Sequence, residues 1–277
     1  MWRAKSTMAL LTLIHSGHDY AIRQAIGGGA DLETPNSDGV TPLHVAVMKL
    51  DFSTVNLLIK RGVALNAQNK WGRTPLWYAS KKNSEHLIKL LVEAGADINL
   101  ADERLLSPLA MVVPLCGVEL VRWFVENGAD VGPHWETDSN SDLLAIACAA
   151  HNWDVANHLL DTGFVVKDSA KYRGDLMHYC INRQWPPASD EQKVRFLWRL
   201  LEECGFDPNH TIAFRDEQWT CLHEASYNDD VESAKLLILA GANIHAKTAN
   251  GATPASIAGG PKMREFFASL NTAKRAD

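Results

Sequence analysis

The chain has 277 residues, 46% of them hydrophobic, and a formal net charge of -6 with a pI near 6.0. That balance is ordinary for a folded protein and gives no overall reason to expect a nucleic acid partner. No apolar stretch reaches the roughly 20 residues of a membrane-spanning helix. The five cysteines (Cys116, Cys148, Cys180, Cys204 and Cys221) form no CxxC pair, so they are expected to be reduced, buried thiols rather than disulfides or metal ligands.

In chain order, the apolar run Met8 to Ile14 follows Arg3 and Lys5. It is short for a secretory leader and lacks a convincing cleavage site, so it is taken as the first helix of an opening element over residues 9–32. Thr41-Pro42-Leu43-His44 comes next. Thr41 is placed to cap a helix whose first position is Pro42, where a missing N–H costs nothing. That helix is expected to run to about Lys49, with Leu43, Ala46 and Val47 on one face. Val55, Leu58 and Ile59 mark a second helix, and Gly62 stands just past it, where a left-handed cap favours a residue without Cβ.

The same scaffold then returns at a fixed step. Leu43, Leu76 and Leu109 are 33 residues apart, as are Gly29, Gly62, Gly95 and Gly128. Thr74-Pro75-Leu76-Trp77 and Ser107-Pro108-Leu109-Ala110 open the next two repeats. Leu144, Ala147 and Gly163 keep the spacing of a degenerate one, and Met177-His178, Cys180 and Gly205 keep the ends of another. Thr220-Cys221-Leu222-His223 and Gly241-Ala242-Asn243 restore the pattern, and residues 249–270 form a truncated closing repeat that begins near Thr253-Pro254. From Met177 to Gly205 there are 28 residues where Leu43 to Gly62 spans 19. The surplus lies near residues 184–192 and includes Gln184-Trp185-Pro186-Pro187, in which two prolines stop one helix before Ser189 or Asp190 can cap the next. This segment is either a tolerated surface insertion or a functional loop. A smaller insertion surrounds Gly132-Pro133-His134-Trp135.

A period of this length carried by these motifs resembles the ankyrin repeat. The resemblance implies an all-α repeat solenoid of stacked helix-turn-helix elements with short β-hairpin or turn connections. Its expected organisation is about eight repeats, caps included, in one ankyrin domain over residues 9–270, flanked by an extension at 1–8 and a tail at 271–277. Each repeat has apolar surface that it cannot cover alone, so stacking supplies the core.

In the family the usual ligand surface is the concave face, made of hairpin tips and the exposed side of each first helix. Carried over by position, the tips are Ser37, Asp38 and Val40, then Lys70, Trp71 and Arg73, then Glu103, Arg104 and Leu106, with Trp219 near the end. The first helices add Met48 and Lys49, Lys81 and Lys82, Pro114 and Leu115, Asn182 and Arg183, and Tyr227 and Asn228. Lys70, Arg73, Lys81, Lys82 and Arg104 around Trp71 form a local basic patch in an acidic chain, and Trp, Tyr and Arg are frequent binding hot spots. The candidate partner-binding set is therefore Lys70, Trp71, Arg73, Lys81, Lys82, Arg104, Trp219 and Tyr227. A solvated basic face with Trp71 packed on its own neighbours is the competing reading.

Chemistry has little foothold. His44, His178 and His223 occupy the motif position where the family uses the imidazole to tie hairpin backbone. His15 and His18 are too few for a zinc site. Gly27-Gly28-Gly29 follows a helix rather than a strand, which fits a repeat-closing turn and not a phosphate loop. There is no GxSxG or HExxH and no cysteine nucleophile with a motif beside it. No cofactor, metal or catalytic residue is assigned. The expectation is a noncatalytic scaffold or adaptor, cytoplasmic and also nuclear, that recognises a protein with an acidic or mixed acidic and apolar surface. The alternative is an unusual ankyrin-fold enzyme or accessory subunit that holds a small molecule in a groove lined by Trp71, Trp219, Tyr227 and histidines.

Overall fold

A computed structural model describes residues 10–131, 142–164, 170–181, 190–212 and 218–273. The chain divides into two compact units, Met1–Val131 and Gly132–Asp277. In the first, residues 10–16 are helical (α1) and are followed by α2 (Asp19–Gly27), α3 (Pro42–Met48), α4 (Phe52–Lys60), α5 (Pro75–Lys81), α6 (Glu85–Glu93), α7 (Pro108–Val112) and α8 (Val118–Glu126). These are helix pairs at the expected step. The first helices stack as α3 on α5 and α5 on α7, and α2 packs on α4.

Local chemistry explains the helix starts. The Thr41, Thr74 and Ser107 hydroxyls accept from the backbone N–H of His44, Trp77 and Ala110, and Pro42, Pro75 and Pro108 hold the first turn. Asp51 caps α4 by accepting from Thr54 N–H at 3.0 Å. The core lies between the layers: Leu43, Ala46, Val55, Leu58, Leu76, Ala79, Leu87, Leu91, Leu109, Val121 and Phe124 are all buried. The small Ala46 and Ala79 allow neighbouring first helices to approach closely. Helix α7 is shorter than α3 and α5, because Pro114 brings no N–H to continue the helical bonding.

The second compact unit carries α9 (Leu143–Ala149), α10 (Trp153–Asp161), α11 (Ala170–Ile181), α12 (Asp190–Glu202), β1 (Thr211–Ile212), β2 (Trp219–Thr220), α13 (Cys221–Tyr227), α14 (Val231–Leu239) and α15 (Pro261–Ala273). Here α9, α11 and α13 form one layer, and α10, α12 and α14 the other. The two strands pair antiparallel with Thr211 opposite Thr220 and Ile212 opposite Trp219, and no other strand occurs among the described residues. Helix α12, of 13 residues, is longer than the 9 of α14, so part of the surplus sequence extends that helix, while the 12-residue α11 gains its length before Met177. Trp185, Pro186 and Pro187 lie outside the described residues, as do Trp135, Asn182 and Arg183. The closing repeat has only a turn over residues 254–257 where a first helix stands elsewhere, and α15 continues past residue 270 to Ala273.

Candidate functional site

The fingers between helix pairs are built from a side chain that the motif search did not single out. Asn36, Asn69 and Asp102 recur at the 33-residue step. Asn69 Oδ1 accepts from the N–H groups of Trp71 and Arg73 at 3.0 and 3.1 Å, and Asn36 and Asp102 do the same within their own fingers. Each finger is thus a self-bonded loop that holds its tip outward. The tips are also stitched together: Lys70 N–H donates to Asp38 O at 2.9 Å and Glu103 N–H to Trp71 O at 3.1 Å. At Gly72 a Cβ would come within 2.9 Å of Glu103 N, so this close approach and a φ of +72° both require glycine.

On this frame the predicted basic and aromatic residues of the second finger meet. Trp71 is 39% exposed. Lys70 Nζ lies 4.5 Å from its ring centroid and Arg73 Cζ 5.7 Å. Arg73 also sits 4.3 Å over the buried Trp77 ring, with Lys81 Nζ at 5.4 Å from the same ring. Lys70, Trp71, Arg73, Trp77 and Lys81 are therefore one contiguous cation–π cluster. Two of its cations are already engaged, Lys70 with Asp38 at 2.6 Å and Arg73 with the buried Asp102 at 3.4 Å. Lys81, Lys82 and Arg104 are exposed and have no carboxylate partner among the described residues. The patch is less positive than a count of its basic residues suggests, because Asp38 and Asp102 are built into the same fingers.

Trp219 corrects its expected role. It is 7% exposed, whereas Tyr227 is 52% exposed. Trp219 fills the position of Val40, one residue before the capping threonine, and Val40 is buried too. Its indole packs against Tyr227 at 5.6 Å and His223 at 6.2 Å. The apolar Val40 was the signal that this register position faces inward.

The histidines are tied as the motif implied, with one exception. Thr41 N–H donates to His44 Nδ1 at 3.2 Å, and His44 Nε2–H donates to the Arg73 carbonyl at 3.0 Å. His223 makes the same pair of bonds with Thr220 and Ala252. Burial lowers the pKa of both rings, partly offset by the carbonyl bonds. His178 instead reaches across to Glu224 of α13 at 2.7 Å. Burial raises the thiol pKa of Cys116 to about 11 and of Cys221 to about 12, and raises those of Cys148 and Cys180 as well. These thiols are poor nucleophiles at neutral pH. None of the five cysteines forms a disulfide. Among the described residues no group of three His, Cys, Asp or Glu could hold a metal ion, and no helix is long and apolar enough to cross a membrane.

A second structural feature escaped the sequence reading. Buried Arg199 on α12 donates to the Asn157 carbonyl and to Asp161 of α10, each at 2.8 Å, and to Glu203 at 2.8 Å. Burial disfavours its charge, but the bonds to Glu203 and Asp161 outweigh that and raise its pKa.

Comparison with known families agrees with this geometry. A family model of three ankyrin repeats matches residues 9–102, and a single ankyrin repeat model matches residues 217–249. No curated protein matches the chain. Between the two matched segments, α7 to α12 keep the paired-helix arrangement although the motifs of α9 to α12 are degenerate. The chain therefore carries ankyrin repeats over residues 9–102 and 217–249, and His44 and His223 each pin their own helix start to the next finger there.

Proposed function

We propose that this protein is a noncatalytic scaffold or adaptor that docks a protein partner on the finger tips and first-helix face of its first compact unit, around Trp71. Ankyrin repeats generally mediate protein–protein interaction, and the fold alone leaves the partner open. The carrying observation is the half-exposed Trp71 indole held by Lys70 and Arg73. A pre-ordered aromatic ring loses little entropy on binding and offers a large area to desolvate. Exposed Lys81, Lys82 and Arg104 favour a partner with an acidic or mixed acidic and apolar surface. A groove enzyme has less support, since Trp219 is buried and His44, His178 and His223 are committed to backbone or Glu224. Five cysteines without a disulfide fit a reducing compartment such as the cytoplasm.

Affinity capture from the source cell, with wild type beside Trp71→Ala and a Lys81→Ala/Lys82→Ala double variant, tests this reading. Both variants should remain folded by circular dichroism. The first should release the captured protein faster, and the second should associate more slowly with a weaker salt dependence. Undiminished capture by both variants would overturn the assignment.

A further inference from the structure

Arg73 is bonded through only one of its guanidinium nitrogens. Its Nε donates to Asp102 Oδ2 at 3.4 Å, whereas Nη1 and Nη2 have no hydrogen-bond partner among the described residues. Neither is buried without a partner, as Trp77 Nε1 is, so both reach water. The group is nonetheless held in place. Its Cζ lies 4.3 Å over the Trp77 ring, which is only 2% exposed, and 5.7 Å from the Trp71 ring. A guanidinium stacked on an indole and anchored at Nε keeps its outer fork in one orientation.

Asp102 is the anchor, and its carboxylate is more than the finger needs. Asn36 and Asn69 stand at the matching positions of the two preceding fingers, where an amide oxygen is enough to accept the two finger N–H bonds. Asp102 Oδ1 accepts the same pair, from Arg104 and Leu106. What the carboxylate adds is a second charged oxygen, and that oxygen takes Arg73 Nε. The Asp102 side chain is buried, so it is a fixed point. At 3.4 Å the bond is long, which orients the guanidinium while leaving its donors for another acceptor.

Resting on the scaffold reading above, we propose that Arg73 is the specificity-determining residue of this face: its Nη1 and Nη2 grip one side-chain carboxylate of the partner end-on, with Lys81 supplying the adjacent positive charge. A planar fork matches a planar carboxylate through two parallel bonds, which a lysine cannot make. Lys81 Nζ stands 5.4 Å from the centroid of the same Trp77 ring, so fork and ammonium share one indole. Asp102 offsets the charge of Arg73, and Lys81 has no carboxylate partner among the described residues. The groups on Trp77 therefore carry one uncompensated positive charge, which a carboxylate balances and a dianionic phosphate would exceed.

The test uses the whole protein and short fluorescein-labelled Gly/Ser peptides carrying a Glu-Glu pair, a Gln-Gln pair or one phosphoserine, read by anisotropy across a salt series. The glutamate peptide should bind best, and Arg73→Lys should weaken it about ten-fold with the same salt dependence, because the charge stays and the fork is lost. Lys81→Ala/Lys82→Ala should instead flatten the salt dependence. Arg73→Lys should remain folded in a thermal melt, since the His44 bond uses the Arg73 backbone carbonyl. Equal affinity of Arg73→Lys and wild type, with a loss in the double lysine variant, would overturn this inference and leave the scaffold reading in place. Tighter binding of the phosphoserine peptide, or no binding of the glutamate peptide, would also overturn it. Binding unchanged in Arg73→Lys, in the double lysine variant and in Trp71→Ala alike would remove both readings.

Discussion

His44 and Arg73 belong to successive repeats, yet the imidazole Nε2–H of the first is bonded to the backbone carbonyl of the second at 3.0 Å. Thr41 N–H occupies the other ring nitrogen, so the ring is held as a neutral tautomer that bridges its own helix start to the next finger. His44→Ala should leave the Arg73 carbonyl and the Thr41 N–H without this partner and destabilise the first compact unit by about 1–3 kcal/mol. Urea denaturation with an unchanged m-value checks it; a loss of a few tenths of a kcal/mol would mean that water replaces the ring.

The same bridge makes stability depend on pH. Burial lowers the folded-state pKa of His44 and His223 from the ordinary 6.5, so below that value the unfolded chain binds protons that the folded rings refuse. Their contribution is complete above pH 6.5 and is lost as pH falls from there toward the lowered folded values. The urea midpoint should drop between about pH 7.5 and 5.5, and the drop should shrink in His44→Gln. An equal drop in both proteins would assign the effect to other groups.

Leu76 sits in the layer of first helices and is fully buried. Truncation to alanine should cost about 2–5 kcal/mol through lost transfer energy and a residual cavity. Because each repeat contacts only its neighbours, amide exchange should rise most in α3 to α7. Uniform acceleration across that unit would indicate full cooperativity instead.

Arg199 is a buried cation whose removal leaves the Asn157 carbonyl without its donor and Asp161 and Glu203 without their partner. Arg199→Ala should therefore destabilise the second compact unit by about 1–3 kcal/mol. Arg199→Met, which keeps the apolar stem and its packing, should recover part of the loss. Thermal melts of the three proteins at one ionic strength decide the point; equal melting temperatures for Arg199→Ala and wild type would show that the network contributes nothing net.

Sequence alone determined the repeat, because its evidence is local and periodic. Thr41, Pro42 and Gly62 act through bonds and backbone preferences within a few residues of themselves, and the 33-residue step repeats that local chemistry. The residues grouped around Trp71 were legible for the same reason, since neighbouring tips inherit the register. Only the tertiary structure decided which of those side chains are accessible. Trp219 and Tyr227 look alike as aromatic surface candidates, but the finger geometry turns one inward and leaves the other in water. Arg73 and Lys82 look alike as cations, but Arg73 meets Asp102 from the next repeat and Lys82 meets no carboxylate among the described residues. The Arg199 bonds to Asn157 and Asp161 and the His178–Glu224 pair were equally illegible, because they join residues 38 to 46 positions apart through contacts that no local pattern encodes. Burial and long-range pairing are set by the packing of one helix pair on the next, which a periodic sequence announces without stating how each side chain is spent.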